Sequence, residues 1–377
     1  MGSEPQSGPG YHQQLMPTVA ETLLVLSRRV HQDKAASWDR HGLQIGDPNA
    51  PTGPIGVCHE VTEEVVRAAI EAGLGLLVTY HPLIFHPISQ VVSGRGPGGR
   101  AYRLLRAGVA VATFHTAWDV ARGGAADALA SALGLRNTSG FAPLEATSRI
   151  KVVTFVPPDQ VDEVAAALAA AGAGRIGNYD GCGFRSEGIG TFLPGPGADP
   201  VAGRPESLNY EKEIRLEMVA DQRLEPDLLA ALTASHPYEE PAFDVYDIRA
   251  NVGMAGRVGE LVEPMSPSAL VSLVERALSS TPRIAVRDEA DLTRVAVVPG
   301  SGGSMVAAAA DAGAEVLITG DVSHHETMDA LDRGLGVIDP GHAATEKPGV
   351  SALLDVVTGF APDAVDLTTD PTPWTAP

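Results

Sequence analysis

Only two cysteines, Cys58 and Cys182, occur in the 377-residue chain. So few and so far apart, they make neither a disulfide framework nor a thiolate metal site, and a reducing cytoplasm is the expected location. Aromatic residues are scarce, at 5%, which favours tightly packed α/β layers over a β-sandwich. Positive charge is also in short supply: 27 Lys and Arg face 47 Asp and Glu, for a formal net charge of −20. With no basic cluster to offset that field, neither nucleic acid nor an anionic membrane is an expected partner. No apolar run reaches transmembrane length. The opening "MGSEPQSGPGYHQQ" lacks a charged-then-apolar signal pattern and reads as a disordered leader. There is no serine elbow and no Cys–His nucleophile pattern. The glycine-rich stretches 93–100 and 299–304 lack the Lys-Ser/Thr of a phosphate loop, and the second reads as a tight turn.

What is present is a repeat. Residues 57–79, "VCHEVTEEVVRAAIEAGLGLLVT", align without a gap on residues 297–319, "VVPGSGGSMVAAAADAGAEVLIT", with eight identities. Each copy reads as a short apolar strand, a helix closed by Ala-Gly, and a second buried strand. That is a βαβ unit with parallel strands. A third strand follows each copy and ends in His-x-x-x-acid: His115/Asp119 in "FHTAWD" and His342/Glu346 in "GHAATE". The predicted fold class is therefore α/β, with two related α/β lobes: a first over 15–135 and a second over 251–370.

Residues 136–148, "RNTSGFAPLEATS", are turn-rich and read as a linker. Beyond them a βα…βαβ pattern over 149–250 predicts a small α+β domain inserted between the lobes. In it, 177–197 reads as loop and short strand.

The candidate chemistry gathers at strand ends: His81, His86, His115, Asp119, Asp321, His324, His325, Asp339, His342 and Glu346. Ligands of open α/β sheets sit beyond the carboxyl ends of strands, and two lobes facing each other would bring these tips into one cleft. Imidazole mixed with carboxylate suits Zn, Mn, Fe, Co or Ni, and clustered acids and histidines are the usual material of two-metal hydrolytic sites. His342 and Glu346, four apart, fall on one helix face if a helix starts near Gly341. Each residue alone also has a plain structural reading, such as a surface pair or a solvated helix start at "GDVSHHE".

Taken together, "HGLQIGDP" (41–48), "TYHPLIF" (79–85), "FHTAWDVARGGAADALA" (114–130), "GRIGNYDGCGFRSEGIGTFLPG" (174–195), "HPYEEPAFDVY" (236–246), "TGDVSHHE" (319–326) and "DPGHAATE" (339–346) resemble the Nif-three-like family. Its members are often labelled GTP cyclohydrolase I type 2 homolog or dinuclear metal centre hexameric protein. The resemblance implies a metal-binding α/β domain interrupted by a PII/CutA-like domain, and a toroidal homohexamer with metal sites facing an internal cavity. It implies His81, Asp119, His342 and Glu346 as metal ligands. Tyr80 stands where the family pattern has a first His, which leaves one firm metal site and one weaker, hence one or two divalent ions per chain. His115 and His325 match family positions as groups beside the metals or lining the cavity, and one or the other would serve as general acid/base in a hydrolase. The expected function is metal-dependent hydrolysis of a nucleotide, phosphoester or cyclic amide. The alternative is a non-catalytic metal-binding, metal-sensing or adaptor protein.

Overall fold

The computed structural model describes residues 17–144, 149–176, 179–198, 200–201, 203–248, 252–287 and 289–369; the expected leader lies outside them. By its internal contacts the chain divides into two compact units. The first takes the described residues up to Ser27, Arg40–Phe114 and the residues from Leu353 on. The second takes Arg28–Asp39 and His115–Ala352.

In the first unit, helix α1 (Val19–Arg29) is followed by β1 (Gly42–Ile45), β2 (Ile55–Cys58), α2 (Glu63–Glu71), β3 (Leu76–Thr79), α3 (Gly96–Arg106) and β4 (Ala110–Thr113). A short strand near the C-terminus, Val365–Asp366, completes a sheet in which β1 runs antiparallel to β4 and the other neighbours are parallel. Every residue of β2, β3 and β4 is buried, which is why they read as continuous apolar runs. Thr62 caps α2 through the Val65 amide. The helix packs Val65, Val66 and Ala69 into a core with Leu77, Leu104 and Val111.

The second unit opens with α4 (Thr116–Val120), α5 (Ala125–Ala132) and β5 (Arg136–Pro143). The inserted segment follows as β6 (Arg149–Val156), α6 (Val161–Ala170), β7 (Gly183–Phe192), β8 (Asn209–Asp221), α7 (Glu225–Ser235) and β9 (Phe243–Ile248). Its sheet is antiparallel, in the order β7-β8-β6-β9. Ile150, Val152, Leu216 and Met218 meet Val164, Leu168, Leu228 and Leu232 of the two helices. This is the α+β insert that the sequence predicts.

The chain returns through β10 (Met254–Met265), α8 (Pro267–Leu278), β11 (Arg283–Ala285), β12 (Leu292–Ser301), α9 (Val306–Asp311), β13 (Val316–Gly320), α10 (His324–Asp332), β14 (Gly336–Asp339) and α11 (His342–Thr358). The sheet order is β11-β14-β13-β12-β10-β5, with β12, β13 and β14 parallel. The duplication extends to strand register. Ile55 pairs with Leu76 in the first unit, and Val295 with Val316 in the second. Both numbers in the second pair are 240 higher. Likewise β1 is antiparallel to β4 and β11 to β14.

Two local expectations change. Residues 136–143 of the expected linker form β5, because β10 offers an unpaired edge that takes up its backbone groups from Arg136 to Pro143; residues 145–148 lie outside the described residues. The short strand expected within 177–197 is ten residues long, recruited by β8 across its full length. No helix among the described residues is long and apolar enough to cross a membrane.

Gly73, one of the repeat identities, closes α2 at φ +63°, and nothing lies within 4 Å of where a Cβ would sit. Gly73→Ala therefore tests backbone conformation alone. It should lower unfolding stability by about 1 kcal/mol, read as a lower urea midpoint at unchanged slope. An unchanged midpoint would show that the left-handed cap is not held there.

Candidate metal centre

In the first unit, the parallel ladder runs past the end of β3. The Tyr80 amide donates to the Cys58 carbonyl at 3.0 Å and the His81 amide to the His59 carbonyl at 2.8 Å. Because the two chains leave the sheet in register, their side chains gather. The His59 and His81 ring centroids are 4.6 Å apart, and Tyr80 lies 5.5 Å from His59 and 5.3 Å from His81. Tyr80 is fully buried and His59 nearly so. Below them the Thr79 and Thr113 hydroxyls share a buried 2.8 Å hydrogen bond that ties the tips of β3 and β4.

In the second unit, His115 heads α4 and faces a carboxylate from far back in the chain. Its Nδ1 is 2.9 Å from Oδ1 of Asp39, whose Oδ2 accepts from the Thr116 amide at 3.0 Å and hydroxyl at 2.5 Å. The Asp39 side chain is fully buried. Burial works to raise its pKa, but the hydrogen bonds from His115 and Thr116 and the His115 charge hold it down at about 2. Burial disfavours a charged His115, yet the Asp39 hydrogen bond and the charges of Asp119, Asp39 and Glu346 raise it above the ordinary range. Carboxylates from α4 and α11 thus act on one imidazole. Half-buried Asp119 sits in the first turn of α4. That turn is anchored by Trp118, whose indole N–H donates to the Gly349 carbonyl of α11 at 2.8 Å.

His342 and Glu346 occupy the first turns of α11, one turn apart as expected. His342 Nε2 is 3.1 Å from Glu346 Oε1, and its Nδ1 is 2.8 Å from Asp321 Oδ2. Burial lowers the affinity of His342 for a proton, but hydrogen bonds and charge from Glu346 and then Asp321 push it up to about 9. The Glu346 side chain is only 4% exposed. The glycine-rich turn expected at 299–304 now has a reason. A Cβ on Gly300, at φ +68°, would fall 2.6 Å from Glu346 Oε1, and one on Gly320 would fall 2.5 Å from the His342 Cα. The Gly300 amide donates to the Thr345 hydroxyl of α11 at 2.8 Å, and the Gly302 amide to that of Thr319 at 2.9 Å.

Other candidates stand apart. His86 is exposed in the loop after β3. His324 and His325 are exposed on the first turn of α10, where Ser323 and Glu326 form a capping box, so the solvated helix-start reading describes their setting. Asp339 serves the backbone: it accepts from the Gly341 and Val322 amides at 2.9 and 3.2 Å and pairs with Arg283. Sequence reasoning missed His59 and Asp39. His59 ends β2 in "VCHE" and carries the same strand-tip signal as His81. Asp39 carries no local signal, since its partner lies 76 residues away. His59, His81 and Glu346 are buried or half-buried and of the types that could hold a metal ion.

A duplicated α/β protein with an α+β insert, bearing histidines and carboxylates at its strand tips, is thus defined. The chain belongs to the Duf34/NIF3 (NGG1p interacting factor 3) family, whose model matches residues 17–372. It is 37% identical over 327 residues to a protein of Halalkalibacterium halodurans named GTP cyclohydrolase 1 type 2 homolog, covering 85% of this chain and 88% of that one. A Bacillus subtilis protein of the same name is 38% identical over 326 residues, covering 85% and 87%. Among solved structures, a Bacillus cereus protein related to NIF3 is 34% identical with a TM-score of 0.62, covering 96% of this chain and 99% of that one.

The Asp39 carboxylate makes a pH-dependent contribution to stability. Its folded pKa of about 2 lies below that of an unfolded Asp, about 3.9. The contribution is therefore complete above pH 5 and lost as the pH falls from 4 toward 2. Asp39→Asn should cost on the order of 2 kcal/mol at pH 7. The parent's excess stability over the variant should shrink through that acid window, as read by denaturant melts at several pH values. A constant difference at every pH would contradict the assignment.

Proposed function

We propose that this chain holds a divalent metal ion on His81, Asp119, His342 and Glu346, with His59 as a further ligand beside His81, and uses it to hydrolyse a nucleotide, phosphoester or cyclic amide. The observation that carries the reading is the His342–Glu346 pair. A buried carboxylate and an imidazole share one face of α11, beside a turn that only glycine can form without touching Glu346. That donor set fits a borderline divalent ion such as Zn, Mn, Fe, Co or Ni, and glycine at position 300 lets the Glu346 carboxylate and the His342 ring lie directly against the turn.

A bound divalent ion supplies Lewis acidity and an activated nucleophile at neutral pH. The chain's own groups do the rest. Asp119 and Glu346 would contribute carboxylate ligands, and His59 and His81 imidazole ligands. Tyr80, in ring contact with both, is the donor for a second, weaker ion. His115, oriented by Asp39, is the general acid/base, and His325, exposed on α10, is the second imidazole of that kind. A homohexamer with its metal sites facing an internal cavity, and a reducing cytoplasm, complete the proposal. Support for the latter is that both cysteines are free, with Cys58 buried in β2 and its thiol pushed up by that burial.

Elemental analysis of protein purified without added metal or chelator should find between one and two equivalents per chain. Asp119→Ala, Glu346→Ala and His59→Ala should each remove most of that metal while light scattering still reports the parent's assembly, because these side chains stand on tips rather than in a core. A parent without metal, or variants that keep it, would overturn the centre. Metal-loaded parent that turns over no nucleotide, phosphoester or cyclic amide would leave the metal-binding reading and remove the hydrolase.

A further inference from the structure

The His342 imidazole meets a carboxylate at each nitrogen: Asp321 Oδ2 at Nδ1, 2.8 Å away, and Glu346 Oε1 at Nε2, 3.1 Å away. The two carboxylates differ in setting. Glu346 is buried within the fold, whereas the Asp321 side chain is 58% exposed. Asp321 also adopts a left-handed backbone, φ +55°, a conformation uncommon outside glycine. It is brought there by Gly320, which lies so close to the first turn of α11 that a Cβ would fall 2.5 Å from the His342 backbone nitrogen and Cα. The chain between β13 and α10 is thus shaped so that an exposed carboxylate reaches one ring nitrogen.

A neutral imidazole has one proton for two nitrogens. With that proton on Nε2 the nitrogen has no lone pair to give, and His342 could not ligate through the atom that faces Glu346. A carboxylate at Nδ1 keeps the proton there, fixes the plane of the ring and makes Nε2 the more basic donor.

We propose that Asp321 is the positioning residue of the metal centre: it accepts the Nδ1–H of His342 and leaves Nε2 to bind the ion beside Glu346. This rests on the metal-centre reading above. Asp39 stands in the same relation to His115, but its second oxygen is committed to Thr116, so its removal would disturb α4 as well. Asp321 can be changed with less collateral effect.

The test measures Zn²⁺ affinity of the full chain against a chromophoric chelator for the parent, Asp321→Asn, His342→Ala and the double variant. Asp321→Asn should bind Zn²⁺ roughly 10–100-fold more weakly, and its effect should vanish when His342 is already Ala. Asp321→Gly, which suits the left-handed backbone, should show the same loss and guards against a folding artefact. Side-chain ¹⁵N spectra of the zinc-loaded parent should show His342 protonated at Nδ1 and ligated at Nε2. Unchanged affinity in Asp321→Asn, a loss of equal size on the His342→Ala background, or ligation through Nδ1 would each overturn the assignment. If the parent binds no Zn²⁺, or His342→Ala binds it as the parent does, the metal centre itself falls and takes this role with it. That outcome is read from different samples than those that test Asp321.

Discussion

Parallel strands in register end at the same level, and the chemistry of this chain depends on where that level falls. In the first unit the ladder continues two residues past the end of β3, through the Tyr80 amide to Cys58 and the His81 amide to His59. The side chains that follow have no sheet neighbour and collect instead against one another. The second unit repeats the pairing at the same register, but its β12 tip turns sharply at Gly300. Where three rings gather at the tips of the first unit, the second packs His342 and Glu346 against a turn that leaves no room for a Cβ at Gly300. A single duplicated scaffold therefore carries two different sets of donors.

Much of this was legible in the sequence because the signals were local. Buried parallel strands read as unbroken apolar runs, Ala-Gly marked both helix ends, and the 240-residue offset survives as strand register. The same local signal drew attention to His81, His115, Asp119, His342 and Glu346, whose roles at a metal belong to the proposed function. The roles of Asp39 and Asp321 were not legible, since each depends on a contact that the finished fold supplies. Residues 136–143 show the same limit from the other side. Their turn-forming composition describes an isolated peptide, while the open edge of β10 dictates a strand, with Asn137 and Ala142 taking up the irregularity at positive φ. Tertiary pairing outweighs local preference where a row of backbone groups would otherwise stay unpaired.

The electrostatics have a common cause. An excess of acidic residues spread evenly would do little at any one place, because exposed charges are screened over about 10 Å. Here carboxylates are held in low-dielectric surroundings next to imidazoles. Asp39 is fully buried, Glu346 almost so, and each is bonded to a histidine nitrogen. The result is a pair of histidines, His115 and His342, that hold protons more tightly than burial alone would allow. Without a metal ion the proton is the cation available to such a site, and it competes with any metal for the same nitrogen.

That competition gives the division of donors its physical sense. Imidazole ligands alone bind a divalent ion without offsetting its charge, which leaves a desolvated cation at high cost. Two carboxylates, as proposed for Asp119 and Glu346, would offset that charge. Carboxylates also raise neighbouring histidines, as Glu346 and Asp321 do His342, so under the proposed reading His342 needs help to give up Nε2. A carboxylate at the far nitrogen provides it, because the ring then keeps one proton on Nδ1 when the metal displaces the other. The exposure of Asp321 suits it to that proposed role, since a partly solvated carboxylate orients the ring without burying another negative charge beside Glu346.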